Sequence, residues 1–388
     1  MDISRRASMA GMLAIIATPM ASAAKAEGRW ASLDAMANKM VADRLVPGLQ
    51  ICVRRRGAAA YSRGFGKANI ETATPMTPAS VCRIGSVSKQ FTAAGILLLA
   101  QDGKLLLDDP LSRFIPDFPN AERLTIRRLL SHTSGLGNYT QTTPPDLVWQ
   151  VSRTDRDTAQ MLELMRATGA KLLFEPGTDY RYSNTGFVLL GIVIEKVSGV
   201  SYRDFMQARL FTPLGLSHTA VDDDAEIVPN RASGYSDDPK ASSGFDNASF
   251  TSMTYPGGAG ALRSTCEDLC AWHEALLGGK ALQPAMLRAM LTPITLNDGS
   301  LPAQTNRKGE HALVHYGFGI DVGPVDGHKA VSHGGSIQGF GSFLETLQPE
   351  RVTMAVIMNT DGGADAPAAF APAWAELQKV LRVTALAA

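Results

Sequence analysis

Apolar residues near the start of the chain recur every three or four positions, at Trp30, Leu33, Met36, Met40 and Leu45. This spacing predicts an amphipathic helix that ends before Pro47 and Gly48. Two short strands are predicted next, around residues 49–54 and 58–65, and a third over residues 80–84. The chain therefore begins with a helix that is followed by strands.

The middle of the chain is predicted to be mostly helical. Residues 91–100 are mostly apolar, which is typical of a helix buried on every side. Ser264 and Glu267 have the spacing of a capping box. Residues 222–247 are rich in Asp, Ser, Gly and Pro and predict a long surface loop, of a kind that often rims a cleft. Further helices are predicted over residues 125–130, 158–165, 187–197 and 265–277.

The last quarter of the chain returns to strands. These are predicted over residues 313–321, 329–332, 340–347 and 352–358, with turns at 324–327, 334–335 and 348–351 and a closing helix over 368–381. This order of elements indicates an α+β protein in which a helical segment interrupts a sheet domain. We therefore expect a discontinuous α/β sheet domain from residues 27–86 and 311–388, and a mostly helical domain from residues 87–310.

The composition is that of an ordinary globular protein. The chain has 388 residues, of which 45% are hydrophobic, and its 37 basic residues balance 37 acidic ones. No stripe of Lys and Arg interleaved with aromatic residues is present, which argues against a nucleic-acid partner. The oligomeric state is left open by the sequence.

Residues 1–26 have the features of an export signal. Arg5 and Arg6 supply a basic segment, residues 10–17 a short apolar one, and Ala21-Ser22-Ala23 a small-residue cleavage site. The apolar run is too short to span a bilayer, and no later run approaches about eighteen apolar residues. We therefore expect an exported protein, periplasmic or secreted, without stable membrane insertion.

The four cysteines, Cys52, Cys82, Cys266 and Cys270, leave two alternatives. Cys266 and Cys270 are four residues apart on a predicted helix, which places their Cβ atoms about 5–6 Å apart, too far for an unstrained disulfide. Cys52 and Cys82 lie on predicted strands and could be neighbours in a sheet, or all four could be buried free thiols. No cysteine–histidine spacing indicates zinc, so no metal site is expected.

Ser86 and Lys89 combine the features of a nucleophile and its base. Ser86 comes where the third predicted strand ends and the buried helix begins, so unpaired backbone N–H groups and the helix dipole favour negative charge there. Lys89 lies one turn further along the same face, between apolar neighbours that would lower its pKa. The alternative is a helix cap beside a solvated lysine, and the same spacing recurs at Ser22 and Lys25, where no catalytic role is expected.

Two further clusters carry polar groups in segments predicted to be loops or turns. Tyr182 and Asn184 lie in a loop just before a predicted helix, and His333, Gly335 and Ser336 lie where one late strand is predicted to turn into the next. Taken singly, each cluster is equally well explained by a half-buried tyrosine, a helix cap or an ordinary turn.

Together, in this order and spacing, the motifs resemble those of the serine β-lactamases and penicillin-binding proteins. The branch they resemble holds class C β-lactamases, DD-carboxypeptidases, D-aminopeptidases and β-lactamase-like esterases. The likeness extends over residues 30–381 and includes the run L-S-H-T-S-G-L at 130–136. The S-x-x-K motif of that superfamily is matched by Ser86 and Lys89, its Y-x-N motif by Tyr182 and Asn184, and its K/H-x-G motif by His333 and Gly335.

The resemblance implies a five-stranded antiparallel sheet flanked by helices, with the active site where the sheet meets the helical domain. Ser86 would form an acyl-enzyme, with Lys89 and Tyr182 moving the serine proton and either of them acting as the base. Asn184 would bind Lys89 and the substrate amide, and the backbone N–H groups of Ser86 and Ser336 would form the oxyanion hole. Neither a metal nor an organic cofactor is implied.

His333 departs from many β-lactamases of this family, which carry a lysine that helps to hold the substrate carboxylate. Histidine at this position is similar to the peptidase, aminopeptidase and esterase members. We therefore expect a hydrolase that cleaves the amide or ester carbonyl of a small-molecule or peptide substrate. The alternatives are a true β-lactamase, or a protein that penicillin acylates once without turnover. Because Ser86, Lys89 and Tyr182 are all present, an active enzyme is favoured.

Overall fold

The computed structural model describes residues 28–305, 311–363 and 365–388. The predicted export signal, residues 1–26, lies outside these residues. The described strands are β1 Gly48–Arg55, β2 Ala58–Asn69, β3 Thr74–Pro75, β4 Cys82–Arg83, β5 Ala220–Val221, β6 Tyr235–Asp237, β7 Phe245–Asn247, β8 Leu262–Ser264, β9 Ala303–Thr305, β10 His311–Leu313, β11 Pro324–Val325, β12 His328–Ile337, β13 Phe340–Leu347 and β14 Val352–Met358.

The described helices fall mostly between the early and late strands. They are α1 Ala31–Ala42, α2 Ser88–Gln101, α3 Ile126–Leu130, α4 Tyr139–Thr142, α5 Pro145–Val151, α6 Thr158–Thr168, α7 Asn184–Ser198, α8 Tyr202–Met206, α9 Thr212–Leu214, α10 Cys266–Leu277, α11 Pro284–Leu291 and α12 Phe370–Ala387. Short 3₁₀ turns span Gly85–Val87, Leu111–Arg113 and Gly257–Ala259, and a π-helical turn spans Gln207–Phe211.

The main sheet is antiparallel throughout, with strand order β11-β12-β13-β14-β1-β2-β3. Five long strands, β12, β13, β14, β1 and β2, form its body, and two-residue strands lie at its edges. The central pair joins β1, near the start of the chain, to β14, near its end, with Ile51 opposite Val356. This architecture confirms the predicted α+β class and the antiparallel five-stranded sheet flanked by helices.

Both faces of the sheet are buried because successive strand residues point to opposite sides. On β14, Met354 and Val356 belong to an apolar cluster formed with α1 and α12, which also includes Leu381. Ala355 and Ile357 belong to a second cluster, which extends through α10 into the helical part of the chain. The sheet therefore lies between two helical layers. The division of the chain into two domains stays a prediction, since α10 comes from the predicted helical domain and packs on β14.

Helix α2 is the buried helix that the apolar run predicts. Its residues from Ser88 to Leu99 are all buried, so the helix shows no solvent-facing stripe. It contacts α7 and the 3₁₀ turn Gly257–Ala259. The 3₁₀ turn Gly85–Val87, just before it, contacts β12. The N-terminus of α2 therefore lies where the helical layer meets the sheet.

Gly334 and Gly335 do not form the predicted turn. Both lie inside β12 and pair with β13, and the turn comes later, at Gln338 and Gly339. A side chain at Gly335 would place Cβ 2.2 Å from the Ile84 carbonyl oxygen. Glycine is therefore required here by the close approach of another backbone segment.

The predicted strand over residues 313–321 and the predicted capping box also need correction. The segment bends through Gly319, whose φ is +68°, and a Cβ there would lie 2.6 Å from the Lys89 carbonyl oxygen. It therefore packs against α2 instead of extending as a strand. Helix α10 is capped by Thr265, whose hydroxyl accepts a hydrogen bond from the Asp268 N–H, one residue later than predicted.

The segment 222–247 is less open than the predicted surface loop. It contains the hairpin of β6 and β7. Asp222 is buried, where it forms ion pairs with Arg83, Arg231 and Arg263. Two of these arginines, Arg83 and Arg263, come from distant parts of the chain and hold this acidic segment against the protein, which its local composition does not reveal.

All four cysteines are buried free thiols, which decides between the two alternatives left by the sequence. Cys52 lies in the main sheet opposite Ala355, whereas Cys82 lies in β4 opposite Ser264, in a separate sheet. The two cysteines are therefore not partners across a strand pair.

No single helix in the part of the chain that the structure describes is both long and apolar enough to cross a membrane. The pair Asn184–Ser198 and Tyr202–Leu214 meets that test only when taken together, and it is bent by 80° at its break. Within the same residues, no group of three or more His, Cys, Asp or Glu side chains is arranged to hold a metal ion.

Candidate active site

Ser86 sits at the junction that the sequence indicates. Strand β4 leads into the 3₁₀ turn Gly85–Val87, and helix α2 begins at Ser88. Gly85 has a φ of +48°, and a Cβ on it would lie 2.9 Å from the Ser336 nitrogen. Glycine thus allows β12 to approach closely. Ser86 is held, half-buried, between a helix N-terminus and β12.

Lys89 is fully buried and in contact with Ser86. Its Nζ donates hydrogen bonds to Ser86 Oγ at 3.1 Å, to Asn184 Oδ1 at 2.7 Å and to the Ala259 carbonyl oxygen at 2.7 Å. Burial lowers the pKa of Lys89 well below its ordinary value, because the charged form loses its hydration. This amine is therefore much easier to deprotonate than a solvated lysine.

Asn184 is the first residue of α7 and connects Lys89 to the cleft. Its Oδ1 accepts from Lys89 Nζ, and its Nδ2 donates to Thr140 Oγ1 at 3.3 Å. Because the two neighbours differ in their hydrogen-bonding capacity, the amide oxygen must face the lysine. Asn184 fixes the position of the amine and also lines the pocket in front of Ser86.

Tyr182 lies close to both Lys89 and Ser86. Lys89 Nζ is 4.8 Å from the centre of the Tyr182 ring. Burial raises the pKa of Tyr182 above its ordinary value, and a hydrogen bond with Ser86 offsets part of that rise. The phenol therefore stays protonated near neutral pH.

His132 holds the segment that carries Tyr182, a role that the sequence analysis did not assign. Its carbonyl accepts from the Arg181 N–H at 3.0 Å, and its Nδ1 accepts from the Ser183 N–H at 3.2 Å. Burial, with the nearby Lys89 charge, lowers the pKa of His132 well below its ordinary value. The imidazole therefore remains a neutral acceptor. The only feature of the sequence that marked His132 was its place in the run L-S-H-T-S-G-L.

His333 is buried behind the cleft with both ring nitrogens engaged. Nδ1 is 2.6 Å from the Gly334 carbonyl oxygen, to which it can only donate, and Nε2 then accepts from the Tyr316 hydroxyl at 3.0 Å. Burial and the charge of Lys89 lower the pKa of His333 to about 4. The imidazole is therefore neutral, and in this arrangement neither nitrogen is free to donate to a substrate.

Gly335 and Ser336 bring the backbone of β12 against the nucleophile. The Gly335 Cα approaches the Ile84 carbonyl so closely that no side chain fits between them, and the Ser336 nitrogen lies beside Gly85. The Ser336 backbone nitrogen is thereby placed next to the turn that carries Ser86. Two backbone N–H groups on opposite sides of a reacting carbonyl are the arrangement of an oxyanion hole.

A cleft of about 280 Å³ opens in front of Ser86. Tyr139 and Tyr255 form part of its wall and pack edge to face, with ring centroids 5.0 Å apart. Asp361 lines it as well. No lysine or arginine is among the described residues that line the cleft. The cleft therefore offers aromatic surface and a carboxylate, and no full positive charge at its wall.

The structure brings together the site residues named from the sequence, except that His333 lies further from the nucleophile than the others. Ser86, Asn184 and Ser336 line the cleft. Lys89 lies behind its wall, hydrogen-bonded to Ser86 and Asn184 and against the Tyr182 ring. His333 lies behind Tyr182, with ring centroids 6.3 Å apart. Their catalytic and binding roles remain predictions.

A family model described as Beta-lactamase matches residues 33–378. The chain belongs to the β-lactamase family. This match covers both the helical segment and the strands on either side of it. It confirms the resemblance that the three sequence motifs indicate.

Two curated relatives are similar over most of the chain. Penicillin-binding protein 4* of Bacillus subtilis (strain 168) is 30% identical over 320 residues, which cover 79% of this chain and 66% of that protein. D-aminopeptidase of Gluconobacter oxydans (strain 621H) is 27% identical over 341 residues, which cover 85% of this chain and 59% of that protein. The chain thus spans less than two thirds of the length of these relatives.

A solved structure with a similar fold is that of D-amino acid amidase from Ochrobactrum anthropi SV3, complexed with L-phenylalanine amide. The TM-score is 0.77 at 25% identity, and the match covers 92% of this chain and 99% of that one. With the family match, this likeness confirms the β-lactamase-like fold and the enzyme class that the sequence predicts, a serine hydrolase of this family.

Proposed function

We propose that this chain cleaves small amides of D-amino acids, or D-aminoacyl peptides, through an acyl-enzyme on Ser86. The observation that carries the proposal is the set of three hydrogen-bond partners around Lys89 Nζ. Asn184 Oδ1 and the Ala259 carbonyl can only accept hydrogen bonds, so they use both N–H groups of a neutral amine. The lone pair of that amine is then directed at the Ser86 hydroxyl, which suits Lys89 to act as the base.

Acylation follows from this geometry. Ser86 Oγ attacks the amide carbonyl carbon while Lys89 Nζ takes the hydroxyl proton, so a C–O bond forms and the carbonyl oxygen becomes an oxyanion. The backbone N–H groups of Ser86 and Ser336 donate to that oxygen, at roughly 3–4 kcal/mol per donor. The C–N bond then breaks as the leaving nitrogen receives the proton. Tyr182, protonated and beside Ser86, is placed to pass it from Lys89 to that nitrogen.

Deacylation uses the same groups in reverse. A water molecule attacks the ester carbonyl and gives a proton to Lys89, which is neutral again after the first step. The ester C–O bond breaks, the proton returns to Ser86 Oγ, and the acid product leaves. No cofactor enters either step.

The choice of an amino-acid amide rests on the relatives and on the cleft. The names D-aminopeptidase and D-amino acid amidase describe relatives of this chain. Of the described residues that line the cleft, none is a cation that could bind the carboxylate of a β-lactam. The ring nitrogens of His333 are already engaged by Tyr316 and the Gly334 carbonyl. These observations favour an amide with a free amine over a lactam.

The name Penicillin-binding protein 4* favours a second candidate, acylation of Ser86 by penicillin with little turnover.

Export to the periplasm or outside the cell is also part of our proposal. It rests on the sequence of residues 1–26 alone.

The test is a substrate panel with purified protein. Release of ammonia from D- and L-phenylalanine amide, hydrolysis of p-nitrophenyl esters and hydrolysis of nitrocefin would be compared at equal enzyme concentration. We expect the D-amide to give the highest kcat/KM.

Ser86→Ala should lose all of these activities, whereas Ser242→Ala, at an exposed serine, should keep them. Efficient nitrocefin turnover with no amide cleavage would show that the chain is a β-lactamase instead, and one equivalent of product followed by arrest would support the penicillin-binding candidate.

A further inference from the structure

One carboxylate lies in the pocket of the nucleophile. Asp361 follows strand β14 and lines the same cleft as Ser86, Asn184 and Ser336. Its Oδ2 accepts from the Gly339 N–H at 3.4 Å, which places it beside the turn that closes β12. Strand β12 runs from Ser336, at the proposed oxyanion position, towards this turn. Asp361 therefore lies at the end of the cleft that is formed by the turn.

This carboxylate is not neutralised by any side chain in the part of the chain that the structure describes. Within the described residues, Asp361 forms no ion pair, and the hydrogen bonds to its oxygens come from the backbone N–H groups of Gly339 and Gly363. A carboxylate has about four lone-pair positions, so acceptor capacity remains on both oxygens.

A second carboxylate increases the negative charge at this end of the cleft. Asp237 is buried, and its Oδ1 has no hydrogen-bond partner among the described residues. Burial raises the pKa of Asp237, and the charge of Asp361, with a smaller effect of Asp365, adds to that rise. Two adjacent carboxylates that pair with no cation among the described residues form a region that attracts a cationic group.

We propose that Asp361 binds the free α-ammonium group of the substrate and thereby sets its specificity. The inference rests on the proposed function in that the substrate is an amino-acid derivative whose carbonyl carbon is attacked by Ser86. With the carbonyl oxygen held by the Ser86 and Ser336 N–H groups, the ammonium is two bonds from the reacting carbon. It can then point along β12 towards Asp361.

The same geometry disfavours N-acylated substrates. An acetylated amine carries no charge, so Asp361 would be covered by the substrate without a cationic partner. The aromatic wall formed by Tyr139 and Tyr255 makes no such distinction, because it contacts apolar groups whatever the charge of the amine. Discrimination between free and acetylated amines therefore reports on Asp361.

The test compares Asp361→Asn with the native protein on D-phenylalanine amide and N-acetyl-D-phenylalanine amide. Asparagine keeps the size and one acceptor oxygen, so the 3.1 Å bond from the Gly363 N–H can be kept, and only the longer bond from the Gly339 N–H, at 3.4 Å, is lost. We expect native protein to prefer the free amine, and the variant to lose about 10- to 100-fold in kcat/KM on that substrate, as for a charge-assisted hydrogen bond. Activity on the N-acetyl amide should change by no more than about twofold. Asp365→Asn, at an exposed residue nearby that does not line the cleft, should leave the ratio unchanged.

Two outcomes would overturn the proposal. One is a native protein that cleaves both amides equally well. The other is an Asp361→Asn variant that loses both activities in parallel, which would assign the carboxylate to holding the turn. If native protein cleaves no amide, the proposed function fails by itself, and D-phenylalanine methyl ester against its N-acetyl derivative then decides the role of Asp361. If the esters are not cleaved either, the absence of any saturable binding of D-phenylalanine amide would overturn the proposal.

Discussion

The ring of His132 packs on the ring of Tyr182, with centroids 4.3 Å apart. The backbone N–H groups on either side of Tyr182, those of Arg181 and Ser183, donate to the carbonyl and Nδ1 of the same histidine. His132 has a φ of +60°, a conformation that few side chains adopt readily. One residue therefore fixes the tyrosine through its ring and through the backbone on both sides.

Replacement of His132 by leucine should lower kcat with little change in KM. The leucine variant loses the acceptor for the Ser183 N–H, so Tyr182 is less well placed, and a displacement of about 1 Å can cost roughly 100-fold in rate. His132→Asn keeps a side-chain acceptor and tolerates the positive φ, so it should retain more activity. Steady-state kinetics with a thermal melt of each variant checks this. Full activity of a folded leucine variant would contradict the positioning role.

Tyr182→Phe should lower the rate by roughly 10²–10⁴, since it removes the hydroxyl that passes the proton and leaves the ring in place. Tyr180→Phe is the matched control, because Tyr180 also packs against the ring of His132, whereas the contacts with Lys89 and Ser86 belong to Tyr182. Its activity should stay close to that of the native protein. Equal activity of both variants would leave Lys89 to move the proton alone.

The pH dependence of kcat/KM should reflect Lys89. Its amine must be neutral to accept the serine proton, and burial lowers its pKa well below 10.5. Activity should therefore be complete well below pH 10.5 and fall on the acid side as Lys89 becomes protonated. Lys89→Arg carries a charge at all of these pH values and should be inactive throughout. A profile that rises only near pH 10 would show that the lysine is not desolvated in the working enzyme.

Stability should fall in acid because several histidines are buried in the neutral state, among them His132, His273 and His333. Burial lowers the pKa of His273 to about 3 and that of His333 to about 4, below the ordinary 6.5. The unfolded chain therefore binds more protons below pH 6.5, so their contribution is present above that pH and is lost as pH falls towards 4 and 3. Urea unfolding at pH 7, 5.5 and 4 measures this loss.

Two variants test whether His273 contributes to this loss of stability at acid pH. His273 donates from Nε2 to Gln90 Oε1 and accepts at Nδ1 from Thr346, so it is held as a neutral ring. His273→Gln should reduce the pH slope of the unfolding free energy by up to about one proton between pH 6.5 and 4. His218→Gln, at a histidine whose side chain is 48% exposed, should leave the slope unchanged. The same slope in all three proteins would rule out His273 as a source.

The four side chains that meet at the candidate active site could be named from the sequence because their patterns are local. Ser86 and Lys89 are one helical turn apart, and Tyr182 precedes the helix that Asn184 begins. The β-lactamase-like sheet followed from the resemblance. What the sequence could not supply is the set of contacts that join distant segments to this centre.

Gly335 shows why patterns of neighbouring residues predicted a turn where the structure has a strand. Paired glycines are commonest in turns, but here the requirement comes from Ile84, a residue about 250 positions earlier that approaches the strand. Ala259 contributes only its carbonyl, which no residue type marks. Tyr316 fixes the ring of His333 from a segment predicted to be a strand, and Asp361 stands alone in its segment without any spacing pattern.

The central claim is that Ser86 becomes acylated through Lys89, and intact-protein mass spectrometry measures it most directly. Purified protein would be mixed with a slowly released acylating agent, quenched in acid and digested to locate the added mass. The expected result is one adduct per chain, on the peptide that contains Ser86, absent from Ser86→Ala and strongly slowed in Lys89→Met. An adduct on Ser88 or Ser183, or acylation of Lys89→Met at the native rate, would contradict the account.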